Sequence, residues 1–228
     1  MSCLESTLPD KFQAFVANPA FPCVGAKAAL SRDQMRIFVA GDISSNRDDP
    51  SIWRHLRDQV NWYRISPSLF QSCVILFEEP TDLSEEGFEA CLWERLRSLS
   101  DEDVAHGQRH DARVSADPED PHFSMSFAGE AFFVVGLHPN ASRPARRFEV
   151  PGLVFNLHDQ FEQLRRHGQY DRLRSSILAR DISFSGSRNP MLSRHGEISE
   201  ARQYSGRAVG PGWQCPLQTR RADELESV

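Results

Sequence analysis

Apolar and polar positions alternate along this chain at two spacings, and the switches between them mark out the elements. A first helix is expected from Pro9 to about Ala17, ending before "NPAFPC", where two prolines force an extended turn. "CVGAKAALSRDQ" reads as a turn with a short helix, and "MRIFVAG" (35–41) as a strand stopped by Gly41. Polar "DISSNRDDP" is a loop, and Asp49-Pro50 opens a helix through "SIWRHLRDQVNWY". "SCVILFEEP" (72–80) is a second strand. "LSEEGFEACLWERLRSLS" (83–100) is a helix capped by Ser84, with acids in its first turn and Phe88, Cys91, Leu92, Leu96 and Leu99 along one stripe.

Residues 101–120 are polar. "FSMSF" and "AFFVVGL", separated by "AGE", form the best hairpin signal in the chain. The loop "HPNASRPARRFEVP" follows, then a helix from Asn156 to about Ala179 with room for a break near Gly168. The last fifty residues hold little periodicity and many Gly, Ser and Arg, the mark of a functional or disordered segment. Strands lie among helices without strict alternation, so the expected class is α+β: a single domain over 1–228, with a mixed or antiparallel sheet packed by helices and a long irregular C-terminal segment.

One residue is out of place in this pattern. In "VFNLHDQFEQLR" (154–165), Asn156 is a fair N-cap, and Phe155, Phe161 and Leu164 continue the apolar face at helical spacing. His158 falls in that stripe and points inward among phenylalanines.

Composition narrows the classes. With 228 residues, 39% of them hydrophobic and fifteen Phe, there is material for a sizeable core. No apolar run is long enough to span a bilayer, and the N-terminus lacks a basic region and an apolar core, so no membrane and no signal peptide are expected and the location is cytoplasmic. Five widely spaced cysteines argue against a disulfide framework or a CxxC zinc site. A net charge of −6 gives no pull toward nucleic acid. Only Lys11 and Lys27 are lysine among 26 basic residues; coding bias explains the preference for arginine but not where the arginines cluster.

Phosphate-loop, dinucleotide, nucleophile-elbow and HExxH patterns are absent. His106 and His110 stand four apart in a polar loop without the setting of a metal site. The segment 131–165 differs. His138 ends an apolar strand, His158 lies on an apolar face, and Arg143, Arg146 and Arg147 sit between them. An apolar slot, one imidazole and guanidinium partners for carboxylates are what heme requires. The bland alternative is a core histidine bonded to a carbonyl, with solvated arginines.

"FPCVGAKAAL", "DPEDPHFSMSFAGEAFFVVGLHPNASRPARRF", "LVFNLHDQFEQLR", "GSRNPMLSRHGEISEARQYSGR" and "WQCP" resemble the bacterial YqcI/YcgG family over about residues 20–217. That family includes the heme-dependent N-hydroxylases of guanitoxin and D-cycloserine biosynthesis. The resemblance implies a heme b enzyme that uses O2 to oxidise a nitrogen of a small guanidine or amine: arginine, a cyclic guanidine or a 2-aminoimidazole-like compound. An external electron donor such as a ferredoxin or reductase is implied too.

Both His138 and His158 match the family pattern. His158, on a helix between phenylalanines, is the first choice of iron ligand, and His138, before Pro139 at a strand end, the second. Cys23 and Cys215 are thiolate candidates. Glu130, Glu197 and Glu200 are candidate partners for a cationic substrate. The C-terminal segment is read as a lid, with Tyr204 and Arg207 facing the pocket. A homo-oligomer is allowed by the scattered Trp53, Trp62, Trp93 and Trp213. The alternatives are a non-catalytic heme sensor or carrier using both histidines, and a metal-free protein whose arginine loop binds phosphate or an acidic partner.

Overall fold

The computed structural model describes residues 6–194 and 196–217. Helix α1 (Leu8–Ala17) opens on a reciprocal cap: the Thr7 hydroxyl accepts from the Asp10 N–H, and the Asp10 carboxylate accepts from the Thr7 N–H. Helix α2 (Val24–Ser31) leads to strand β1 (Met35–Asp42), and α3 (Asp49–Ile65) to β2 (Ser72–Glu79). Helix α4 (Glu85–Ala105) is capped by Ser84 as its sequence predicts, but runs five residues past Ser100. Strands β3 (Met125–Phe127) and β4 (Glu130–Leu137) make the expected hairpin, closed by Ala128 and Gly129 with φ of 51° and 76°. Positive φ at both central residues matches the twist of the flanking strands. Strand β5 (Gly152–Leu157), helices α5 (His158–Arg166) and α6 (Tyr170–Ser185), and the short α7 (Ala201–Tyr204) complete the chain.

The fold is α+β around a mixed five-stranded sheet in the order β1-β2-β5-β4-β3. Strands β1 and β2 are parallel, and every other neighbouring pair is antiparallel. On one face Cys73, Ile75, Leu153, Phe155, Leu157, Phe132 and Val134 form the main core with α3 and α4. On the other, Val74, Leu76 and Leu137 meet Phe12, Val16 and Phe21 of the N-terminal region, with Phe148 and Val150. Among the described residues no helix is long and apolar enough to cross a membrane.

Two expectations need correction. The helix placed from Asn156 to Ala179 is instead a strand and two helices. Asn156 is no N-cap: it lies in β5, opposite Ser72 on one side and Phe133 on the other, and its side chain accepts from the Ser72 hydroxyl at 2.8 Å. "GLVFNL" becomes the central strand because pairing on both sides outweighs a short run whose period fits helix or strand equally. The chain then breaks again at Gly168, with φ of 66°, between α5 and α6.

The C-terminal segment is irregular as expected, apart from α7, but it is not a lid. Ala201, Tyr204, Cys215 and Leu217 belong to the main core. The Tyr204 hydroxyl accepts from the Met125 N–H at 3.3 Å and lies 2.8 Å from the Glu200 carboxylate and 3.2 Å from the Phe132 carbonyl. Its ring packs against Trp93, Phe123 and Phe133. Arg207 pairs with Glu89 and Glu86 of α4. This segment therefore covers the edge of β4 beyond the short β3.

Candidate functional site: a half-covered trough across the central strands

The two faces of the sheet are closed to different degrees. On the main face Phe132, Val134, Leu153, Phe155 and Leu157 are buried. On the second face Phe133 and Val135 of β4, and Val154 and Asn156 of the central strand β5, are only partly buried. Central positions of this kind are normally closed by a layer of helices. Helix α6, whose one buried residue is Asp181, packs against α2, α5 and the turn at residues 144–146. Its apolar residues Leu173, Ile177 and Phe184 follow helical spacing yet are half-buried.

Helix α6 is held at its ends. Near its start Arg165 of α5 lies over the Tyr170 ring at 4.4 Å. Near its far end Asp181 accepts from Arg143 at 2.6 Å, and Arg180 donates to the carbonyls of Pro19 and Phe21. A helix of sixteen residues is roughly 24 Å long. The run of partly buried positions Phe133, Val135, Val154 and Asn156 on the second face of β4 and β5 is termed the trough, and α6 is tethered at both ends beside it.

His158 stands at one end of this trough. It follows β5 directly as the first residue of α5, is buried, and meets Phe161 edge-on at 6.4 Å. Phe161 in turn meets Phe133 at 6.3 Å on the second face. The burial of His158 is as expected, but the expected stripe is wrong: Phe155 lies in β5 and faces the main core, and of the two phenylalanines only Phe161 shares a helix with His158. A polar cluster beside His158 was not legible in the sequence. The Tyr63 hydroxyl donates to Asp159 at 2.6 Å, and the Gln163 amide donates to both. Burial alone would raise the Asp159 carboxyl; hydrogen bonds from Tyr63 and Gln163, with the Arg113 and Arg166 guanidinium groups, hold it below the usual carboxylate range. Burial and the Asp159 charge push the Tyr63 hydroxyl well up, so it remains protonated. Glu130, at the start of β4, pairs with Arg64 and Arg113. This end of the sheet thus carries carboxylates that already bind guanidinium groups. Asp159 adjoins His158 in sequence, but no spacing pointed to Tyr63.

His138 lies elsewhere. The register places Phe132 opposite Leu157, so His138, six residues farther along β4, is about 20 Å from His158 along the strands. It also turns to the other face: its ring stacks on Phe88 of α4 at 4.4 Å. Two imidazoles on one iron sit about 4 Å apart, nitrogen to nitrogen. His138 and His158 therefore cannot ligate one iron together in this fold. Burial lowers the His138 imidazole from its ordinary value, the Glu85 charge opposes that, and Arg146 adds to it. Its buried Nδ1 has no hydrogen-bond partner among the described residues.

The arginines are engaged by the chain itself. Arg146 donates to the carbonyls of Gly136 at 2.9 Å, Tyr204 at 3.1 Å and Gln203 at 3.0 Å, and burial pushes its guanidinium down to about 10. Arg147 donates to the Ala141 and Ser142 carbonyls. Among the described residues Arg143 alone of the three binds a carboxylate, that of Asp181, and it also donates to the Ser187 carbonyl.

Cys23 is better placed than its turn suggested. It caps α2, with its sulfur accepting from the Ala26 N–H at 3.4 Å, packs against the second core, and lies within the field of Arg146. Burial nevertheless dominates and raises its thiol. Cys215 is buried in the main core, on the other side of the sheet. Glu200 is buried there with Tyr204 and Ser124, whereas Glu197 is exposed and accepts from the Arg194 N–H. His106 stacks on Trp53 at 3.7 Å. Among the described residues no group of three or more His, Cys, Asp or Glu side chains is arranged to hold a metal ion.

The protein YcgG of Bacillus subtilis (strain 168) is 29% identical over 163 residues, 69% of this chain and 63% of its own length. YqcI of the same strain is 28% identical over 149 residues, 63% of this chain and 57% of its own length. The matched region spans less than two thirds of either relative. No solved structure matches the chain. The profile of the YqcI/YcgG family matches residues 12–218, which include the hairpin, the arginine loop, the trough and the C-terminal anchor. The chain belongs to the YqcI/YcgG family.

Proposed function

We propose that the protein is a heme-dependent N-oxygenase acting on a small guanidine-type substrate, with O2 as oxidant and electrons from a separate donor such as a ferredoxin or reductase. The observation that carries the reading is the run of partly buried apolar positions on the second face, Val135 and Val154 at the second core and Phe133 beside Phe161 and Tyr204, with buried His158 at its end. Flat apolar walls beside a single buried imidazole suit a hydrophobic macrocycle with one nitrogen ligand. Heme b held there would supply iron chemistry with O2.

The chain's own residues would do the rest. His158, held at the junction of β5 and α5, would ligate iron in its neutral form. Cys23, at the second core, is the thiolate alternative. His138 is not favoured, because its ring faces α4. Arg143 would face a propionate best, since it already binds a carboxylate; Arg146 would have to abandon three carbonyls to do so. Asp159, held below the usual carboxylate range, and Glu130 would receive a cationic guanidine beside His158, both being already in guanidinium contacts. Phe133 and Phe161 would keep water from the reacting centre.

A carrier that grips iron through both histidines is disfavoured by their separation. A carrier using His158 alone is separated from the enzyme by turnover. The test is to reconstitute the protein with heme, then supply O2, a reductase–ferredoxin pair and a panel of guanidines, reading N-oxidised product by mass spectrometry. Product that requires heme and O2 supports the proposal. A protein that binds heme and yields none on any guanidine or amine leaves the carrier.

A further inference from the structure

The first strand of the sheet presents an edge that the chain leaves unpaired. The Ser72 N–H donates to the Gln34 carbonyl at 3.0 Å, which fixes the phase of the β1–β2 ladder. In that phase the backbone groups of Arg36, Phe38 and Ala40 point toward β2, and those of Met35, Ile37, Val39 and Gly41 point outward. The outward series ends at Gly41, whose N–H is capped by the Asp48 carboxylate at 2.8 Å. Met35, Ile37 and Val39 make no hydrogen bond on that side among the described residues.

Edge strands are usually guarded by proline, lysine, inward charge or a covering element. The strand "MRIFVAGD" has neither proline nor lysine. Its first half instead borders a concavity of about 600 Å³, lined by Met35, Arg36, Asp58, Trp62 and Ile65. Ile65 is 84% exposed, the most exposed large apolar side chain described.

We propose that β1 pairs with β1 of a second copy of this chain, antiparallel, about a two-fold axis through Ile37. The open groups are symmetric about that residue. Ile37 would pair with its own copy, and Met35 with Val39 of the partner copy in both directions, so the outward N–H and C=O of all three find partners. A two-fold contact must present one patch to itself. This patch carries both signs, Arg36 beside Asp33 and Asp58, so self-contact meets no single-sign repulsion. Pairing would join two sheets into one and bring the Trp62–Ile65 concavities to the seam. The trough lies over β4 and β5, so each copy keeps its own site.

Sedimentation velocity on the whole chain over a wide concentration range tests this, using wild type, Val39→Pro and Ile65→Glu. Val39→Pro removes an N–H that bonds nothing within one copy. Ile65→Glu alters only an exposed side chain and stays informative if the proline variant fails to fold. The expected result is a wild-type species of twice the 25.9 kDa chain mass, reduced to one chain mass by Ile65→Glu with unchanged circular dichroism. A wild type that stays at one chain mass overturns the proposal. A dimer that survives Ile65→Glu, and Val39→Pro where that variant folds, overturns it as well, because another surface must then hold the pair.

Discussion

His138 and His158 stand at opposite ends of the β4–β5 pair and reach opposite faces of the sheet. The ring of His138 stacks on Phe88 of α4, and that of His158 meets Phe161 at the end of the trough. Twenty residues separate them in sequence, and that proximity suggested a common site. The strand between them undoes the suggestion.

For His138 the consequence is a pH effect. Burial lowers its imidazole below the ordinary 6.5, so the folded chain resists a proton that the unfolded chain accepts. Its contribution to stability is therefore full above 6.5 and declines as pH falls from 6.5 toward the folded value. Urea unfolding at pH 7.5 and 5.5 should show a loss in wild type that is smaller in His138→Phe. Equal losses in the two proteins would contradict the assignment.

Arg146 is expected to be a scaffold residue. Removing its guanidinium strands the carbonyls of Gly136, Tyr204 and Gln203. Arg146→Ala should cost on the order of 3 kcal/mol in chemical denaturation, whether or not heme is present. A variant as stable as wild type that fails only in heme retention would return Arg146 to the propionates.

Tyr204 and Gly136 fasten the C-terminal segment to the sheet. Tyr204→Phe removes the hydroxyl shared by Met125, Phe132 and Glu200 and should cost about 2 kcal/mol. A Cβ on Gly136 would lie 2.7 Å from Phe88, 2.8 Å from Leu92 and 2.9 Å from the Tyr204 carbonyl. Gly136→Ala should destabilise by roughly 1–3 kcal/mol and speed proteolysis after Tyr204, as the segment is pushed off the strand edge. Unchanged cleavage would mean that the segment is held elsewhere.

Much of this fold is written in local pattern. The stripe of α4 predicts Phe88, Leu92, Leu96 and Leu99, all fully buried, and Cys91, which is only partly buried; the β3–β4 hairpin follows from alternation around a Gly turn. Strand β5 was not readable, because "GLVFNL" is short and its helical and extended periods coincide; pairing with β2 and β4 decides it. The site was half readable. His158 is buried as expected, but Phe155 lies in β5 and faces the main core, so the helical stripe that predicted this does not exist. The tether of α6 by Arg143 and Asp181 joins residues 38 apart in sequence, and no local pattern announces it. The arginine loop misled for the same reason: its guanidinium groups lie near both histidines in sequence, yet all three serve backbone carbonyls and only Arg143 also binds a carboxylate among the described residues.

The most direct test of the account is an absorption spectrum, ferric, ferrous and ferrous-CO, of wild type, His158→Ala, His138→Ala and Cys23→Ala after expression with a heme precursor. The account expects a Soret band with a CO shift typical of imidazole ligation, kept in His138→Ala and Cys23→Ala and lost in His158→Ala. A wild-type protein that stays colourless after reconstitution, or a band lost only in His138→Ala, would contradict it.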